Sequence, residues 1–170
     1  MTPFSPVVMA LALIVAAAAL LWAATSDVRF YRIPNRASAA VGCAFLVMAP
    51  EMRPAFLVGG VAVGVGVFAF GALLFARRLM GGGDVKLLAA IALWCGPTFL
   101  TPFALVTSLA GAGLAAVMLS PLARRLPAPP RNGWAAAGSD AGALRQPVPF
   151  AVAIAVGGLW VLGRYAAVVR

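Results

Sequence analysis

The sequence predicts an all-α, polytopic membrane protein with six transmembrane helices and both termini on the non-cytoplasmic side. Three observations carry this. Of 170 residues, 64% are hydrophobic and 10% charged, and mean hydropathy is +1.02, well outside the soluble range. The apolar residues fall into runs long enough to cross a hydrocarbon core of ~30 Å at ~1.5 Å per residue. The charged residues gather in the short segments between those runs. The length allows one membrane-embedded domain, residues 1–170.

The elements follow in order. Residues 1–26 carry no charged side chain, and the first span is placed at 3–24. It lacks the basic stretch that opens a signal peptide, so it reads as a retained span. The second is placed at 35–50 and the third at 55–76. Residues 87–123 are free of charge for 37 residues, too long for one crossing and suited to two. Gly96-Pro97 is the natural break, because proline cannot continue the helical ladder and glycine permits the turn. The fourth span is therefore placed at 85–96, the fifth at 98–120 and the sixth at 147–165. Between the last two, residues 121–146 read as a mobile cytoplasmic loop rich in proline, glycine and alanine.

Charge orients the chain. Arg29, Arg32 and Arg36 follow the first span, Arg77, Arg78 and Lys86 the third, and Arg124, Arg125, Arg131 and Arg145 the fifth, ten of the thirteen basic residues. The positive-inside rule places these three loops in the cytoplasm. The net charge of +9 then reflects topology and contact with anionic lipid headgroups rather than nucleic acid. There is no interleaved aromatic and basic face on which bases could stack. Cys43 and Cys95 lie far apart in apolar stretches and histidine is absent. Neither a metal site nor a cofactor is expected.

The acidic residues are four: Asp27, Glu51, Asp84 and Asp140. A carboxylate beside hydrocarbon costs roughly 2.5–3.5 kcal/mol on insertion scales unless it is paired or used. Glu51 and Asp140 fall in loops and read as solvated. Asp27 closes the first span and Asp84 opens the fourth, so the topology brings both to one membrane face. Asp84 follows Gly81-Gly82-Gly83 and precedes Val85 and Lys86, the single lysine of the chain. The glycines can adopt backbone angles closed to other residues, which suits close folding around a partner or a substrate backbone. The plainer use of Asp84 is as a helix N-cap, that of Asp27 an ion pair with Arg29 or Arg32, and that of Lys86 snorkelling to the headgroups. Pro34 forces an extended residue before it, and Asn35 is positioned to cap the second span.

Taken together, Asp27 with Ile33-Pro34-Asn35 shortly after it, and Gly81-Gly82-Gly83-Asp84-Val85-Lys86 at a later helix start, resemble the type IV prepilin peptidases. These are membrane aspartic peptidases of the GxGD kind. Pro147-Val148-Pro149-Phe150 is similar to the family's proline-containing approach to the last helix, and the resemblance covers about residues 5–165. Larger members carry a cysteine-bearing cytoplasmic insertion associated with N-methylation, and here the first span leads straight into Asp27. The likeness is thus to the short, peptidase-only form associated with Flp-type (tight adherence) pili in the bacterial inner membrane.

The resemblance implies a catalytic pair, Asp27 and Asp84, facing the cytoplasm, with Gly81, Gly83, Lys86, Pro34 and Asn35 in support. Its implied substrate is an Flp-like prepilin precursor whose apolar helix lies beside the enzyme in the bilayer. Two carboxylates that share one proton can activate water and polarise a peptide carbonyl, since like charges a few ångströms apart cannot easily both ionise. Alternative uses of the same residues are a GxGD protease with another membrane substrate, an ion-coupled transporter and a noncatalytic scaffold. Gly60 and Gly64 form a GxxxG, with Gly66 and Gly71 nearby and Gly111 and Gly113 further on. These small faces suit helix packing within the chain, or a homodimer contact.

Overall fold

The computed structural model describes residues 6–120 and 148–168. The regular elements among them are helical: α1 (Pro6–Phe30), α2 (Asn35–Met48), a 3₁₀ turn (Ala49–Glu51), α3 (Pro54–Ala76), α4 (Gly82–Leu119) and α5 (Ala151–Val168). Three of these, α1, α3 and α4, are long and apolar enough to cross a membrane, and α2 and α5 are shorter apolar helices. The count of six spans expected from the sequence thus meets five helices, because one helical run covers the fourth and fifth. The loop placed at 121–146, with Asp140 and four of the counted arginines, lies outside the described residues.

The break expected within that run is present. Gly96 has φ 51° and ψ −169°, outside the helical region, a left-handed φ that glycine adopts without penalty. Contacts on its two sides run in opposite directions. Trp94, before the break, meets Tyr165 near the end of α5, and so does Phe99 just after it. Further on, a Cβ at Gly111 would touch Phe150 and Ala153 at the start of α5. The two arms of α4 are therefore antiparallel, and the second returns toward the end of the bundle from which the first set out.

The carbonyls freed at the break find partners or close neighbours. The Tyr165 hydroxyl donates to the Trp94 carbonyl at 2.6 Å, while the Trp94 indole N–H donates to the Val41 carbonyl at 3.1 Å. Pro97 cannot donate to the Leu93 carbonyl. There α3 comes so near that a Cβ on Gly60 would lie 2.5 Å from that oxygen. Unsatisfied backbone groups are costly in a bilayer, so helix breaks are tolerated where neighbours cover them.

The core lies between α1, α2, α4 and α5, with Leu20, Val41, Phe45, Ile91, Trp94 and Ile154 completely buried. In contrast, α3 packs on α4 through Gly60, Gly64 and Gly71, its buried residues, and exposes Val58, Val65, Phe70 and Leu73. Gly66, grouped with that face from the sequence, points into open space, as does Gly113. A helix with one glycine face toward a partner and bulky apolar residues elsewhere suits a lipid-facing position.

Candidate active site

Four helix ends converge at the end of the bundle where α1 finishes. The helix α1 runs to Phe30 rather than stopping near residue 24, so Asp27 sits inside its last turn. The turn is closed by the Tyr31 N–H donating to the Asp27 carbonyl at 2.8 Å and by the Ser26 hydroxyl donating to the Arg32 carbonyl at 2.8 Å. Tyr31 has φ 50°, the left-handed conformation that closes many helices and that usually belongs to glycine. For a side chain with a Cβ it costs roughly 1–2 kcal/mol.

Pro34, extended at φ −64° and ψ 131°, then starts α2. Asn35, expected as the cap, is instead the first helical residue, and no side chain caps this end. Its Oδ1 accepts a 3.0 Å hydrogen bond from Lys86 Nζ, a use of the side chain that competes with capping. Lys86 thus has a specific partner in addition to its exposed position.

Asp84 occupies the third position of α4, with Gly81 as the N-cap residue. Its carboxylate accepts a hydrogen bond from the Gly81 N–H, the returning half of a capping box. The glycines do not use unusual backbone angles, since Gly96 is the one glycine with positive φ among the described residues. They supply room. A Cβ on Gly81 would lie 2.8 Å from Asp84 Oδ2, and one on Gly83 3.0 Å from Ile33 Cβ. The first turn of α4 therefore rests directly on the Ile33–Asn35 segment that leads into α2.

Asp27 is 8% exposed. Its Oδ2 accepts a 2.9 Å hydrogen bond from the Ala151 N–H, the first residue of α5. The C-terminal turn of a helix disfavours an anion, whereas the N-terminal turn of another favours one through free N–H groups and the macrodipole. The start of α5 offsets the unfavourable end of α1. This arrangement replaces the ion pair considered from the sequence; Arg29 and Arg32 remain exposed.

Asp27 and Asp84 are close enough for the charge of the first to act on the second. Asp84 Oδ1 is buried and has no hydrogen-bond partner among the described residues. Such an atom is costly unless a proton, water or ligand group meets it. The structure thus gathers Asp27, Pro34, Asn35, Gly81, Gly83, Asp84 and Lys86 at one end of the bundle.

Two contributors escaped sequence reasoning. Ala151 acts through its backbone, which any residue but proline supplies; the sole signal was Pro149, buried just ahead of α5. Tyr31 stood inside the first motif, half-buried. Burial, and then the charge of Asp27, push its phenol above the ordinary tyrosine range.

Neither the curated proteins nor the solved structures provide a match to the chain. The family model of the type IV leader peptidases matches residues 14–116, which include Asp27, the Ile33–Asn35 segment, the glycine run and Asp84. The chain belongs to the type IV leader peptidase family.

Proposed function

We propose that this leader peptidase is an aspartic endopeptidase in which Asp27 and Asp84 form the catalytic pair. The observation that carries the proposal is the meeting of two carboxylates from distant parts of the chain, Asp27 buried and Asp84 half-buried with one buried, unpartnered oxygen. In the proposed reaction the pair holds one proton and a water. The ionised carboxylate takes a proton from the water as its oxygen attacks the scissile carbonyl. The protonated carboxyl gives its proton to the carbonyl oxygen. Collapse of the tetrahedral intermediate then breaks the C–N bond, and a proton passes to the leaving amine.

The proposed substrate is an Flp-like prepilin precursor, its leader presented at the cytoplasmic face of the bacterial inner membrane. Support comes from the basic residues after α1 and α3, which share that end of the bundle with both carboxylates. Ile33, Pro34, Asn35, Gly81, Gly83 and Lys86 are proposed as the frame that sets the separation of the pair. An ion-coupled transporter would need its carboxylates along a path through the bundle, whereas both of these lie at helix ends.

The direct test is co-expression with an Flp-type pilin precursor, following leader removal by gel shift. Wild type should shorten the precursor, and Asp27→Asn and Asp84→Asn should each leave it intact. Processing that survives both substitutions would sink the mechanism.

A further inference from the structure

We propose that Tyr31 is a positioning residue for Asp27, its side chain fixed over the helix turn that carries that carboxylate by a left-handed backbone that glycine would adopt more cheaply. The inference rests on the catalytic pair proposed above.

The last turn of α1 is over-determined. The Tyr31 N–H donates to the Asp27 carbonyl and the Ser26 hydroxyl to the Arg32 carbonyl. The chain therefore folds back over the turn that carries Asp27. Tyr31 takes φ 50° at the position where helices favour glycine. Strain of this kind persists where surrounding structure enforces it, and it concentrates at functional sites. The ring is half-buried, and the Asp27 charge acts on it. A phenol that stays protonated is a hydrogen-bond donor and a dipole whose positive end can turn toward an anion. Glycine here would relieve the backbone and remove that donor.

Arg78 provides an internal comparison. It ends α3 with φ 60° and is exposed. There the same backbone state accompanies a solvent-facing side chain with no tie to either carboxylate. Relieving strain at Arg78 should stabilise the protein without affecting turnover, whereas replacing Tyr31 should lower turnover.

The experiment uses the full chain, purified in detergent, with a recombinant Flp-type pilin precursor as probe. Tyr31→Phe, which keeps the backbone and loses the hydroxyl, should lower kcat roughly tenfold with KM and melting temperature unchanged. Tyr31→Gly, which also removes the half-buried ring, should turn over as slowly as Tyr31→Phe. Arg78→Gly should melt higher and keep wild-type turnover. A second readout needs no substrate. The chain has two tyrosines, Tyr31 and Tyr165, so Tyr165→Phe isolates the Tyr31 titration in ultraviolet difference spectra. Adding Asp27→Asn should move that titration to lower pH.

Wild-type turnover in Tyr31→Phe, or a titration indifferent to Asp27→Asn, overturns the role of Tyr31 and leaves the catalytic pair standing. Undiminished cleavage by Asp27→Asn itself overturns the pair, and the role of Tyr31 with it.

Discussion

Lys86 Nζ donates to Asn35 Oδ1 across 3.0 Å, joining the first turns of α4 and α2 over a sequence separation of 51 residues. One turn away, Gly83 rests on Ile33. Asp84 lies between these two contacts. The start of α4 is thereby tied to the segment that leaves α1 just after Asp27, so the two carboxylates are referenced to one piece of backbone.

If Lys86 and Asn35 act as one tie, their substitutions should not add. Lys86→Ala, Asn35→Ala and the double variant are expected to lose similar activity in a precursor-cleavage assay, each with a stability cost of roughly 1 kcal/mol. Asn35→Asp, which turns the contact into an ion pair, should retain most of the activity. Strict additivity in the double variant would separate the two residues.

Ala151→Pro probes the hold of α5 on Asp27. Proline suits the first position of a helix, so α5 itself should form. The substitution deletes the donor to Asp27 Oδ2 and puts a ring carbon where the carboxylate sits. Turnover should fall about 10²-fold or more, while far-UV circular dichroism stays at wild-type helicity.

The glycine run makes a graded prediction. In Gly81→Ala the new methyl meets Asp84 Oδ2 at 2.8 Å, and in Gly82→Ala it meets the edge of the Phe75 ring at 3.2 Å. The ring is exposed and can move aside, whereas the carboxylate cannot do so without leaving its place. Gly81→Ala should therefore abolish most cleavage, and Gly82→Ala should be close to wild type. Equal effects in the gel-shift assay would count against close approach as the reason for the run.

At the reversal in α4, Gly96→Ala should destabilise by roughly 1–2 kcal/mol, because its φ of 51° is left-handed. Tyr165→Phe should cost a similar amount, roughly 1–2 kcal/mol, by leaving the Trp94 carbonyl without its donor. Thermal unfolding in detergent measures both. The break is remote from the two carboxylates, so turnover at low temperature should be unaffected.

Much of this site was legible in the sequence because the chain is so poor in acids. With four carboxylates and long apolar runs, Asp27 and Asp84 could hardly be incidental, and alternation of the spans put them at one end. The break at Gly96-Pro97 was legible for a local reason, since that pair cannot continue a helix. Contacts between helices were not. Asn35 looked like a cap because asparagine caps helices well, but packing of α4 on α2 delivers Lys86 to its side chain. The donor to Asp27 is a backbone group and leaves no mark in the residue at 151. Tyr31 hides its left-handed backbone because the usual signature, a glycine, is missing.

The reversal at Gly96 has a further consequence for the surrounding lipid. The first arm of α4 and its neighbour α2 (14 residues) each extend only about 21 Å at ~1.5 Å per residue, against a hydrocarbon thickness of ~30 Å. A bilayer meets such mismatch by thinning locally or by letting flanking cations reach up to the interface. On the α2–α4 side, therefore, a bilayer of that thickness would have to thin around the bundle. In the proposed reaction, a membrane thinned in this way would bring water to a scissile bond beside an apolar helix without first lifting the peptide out of the lipid.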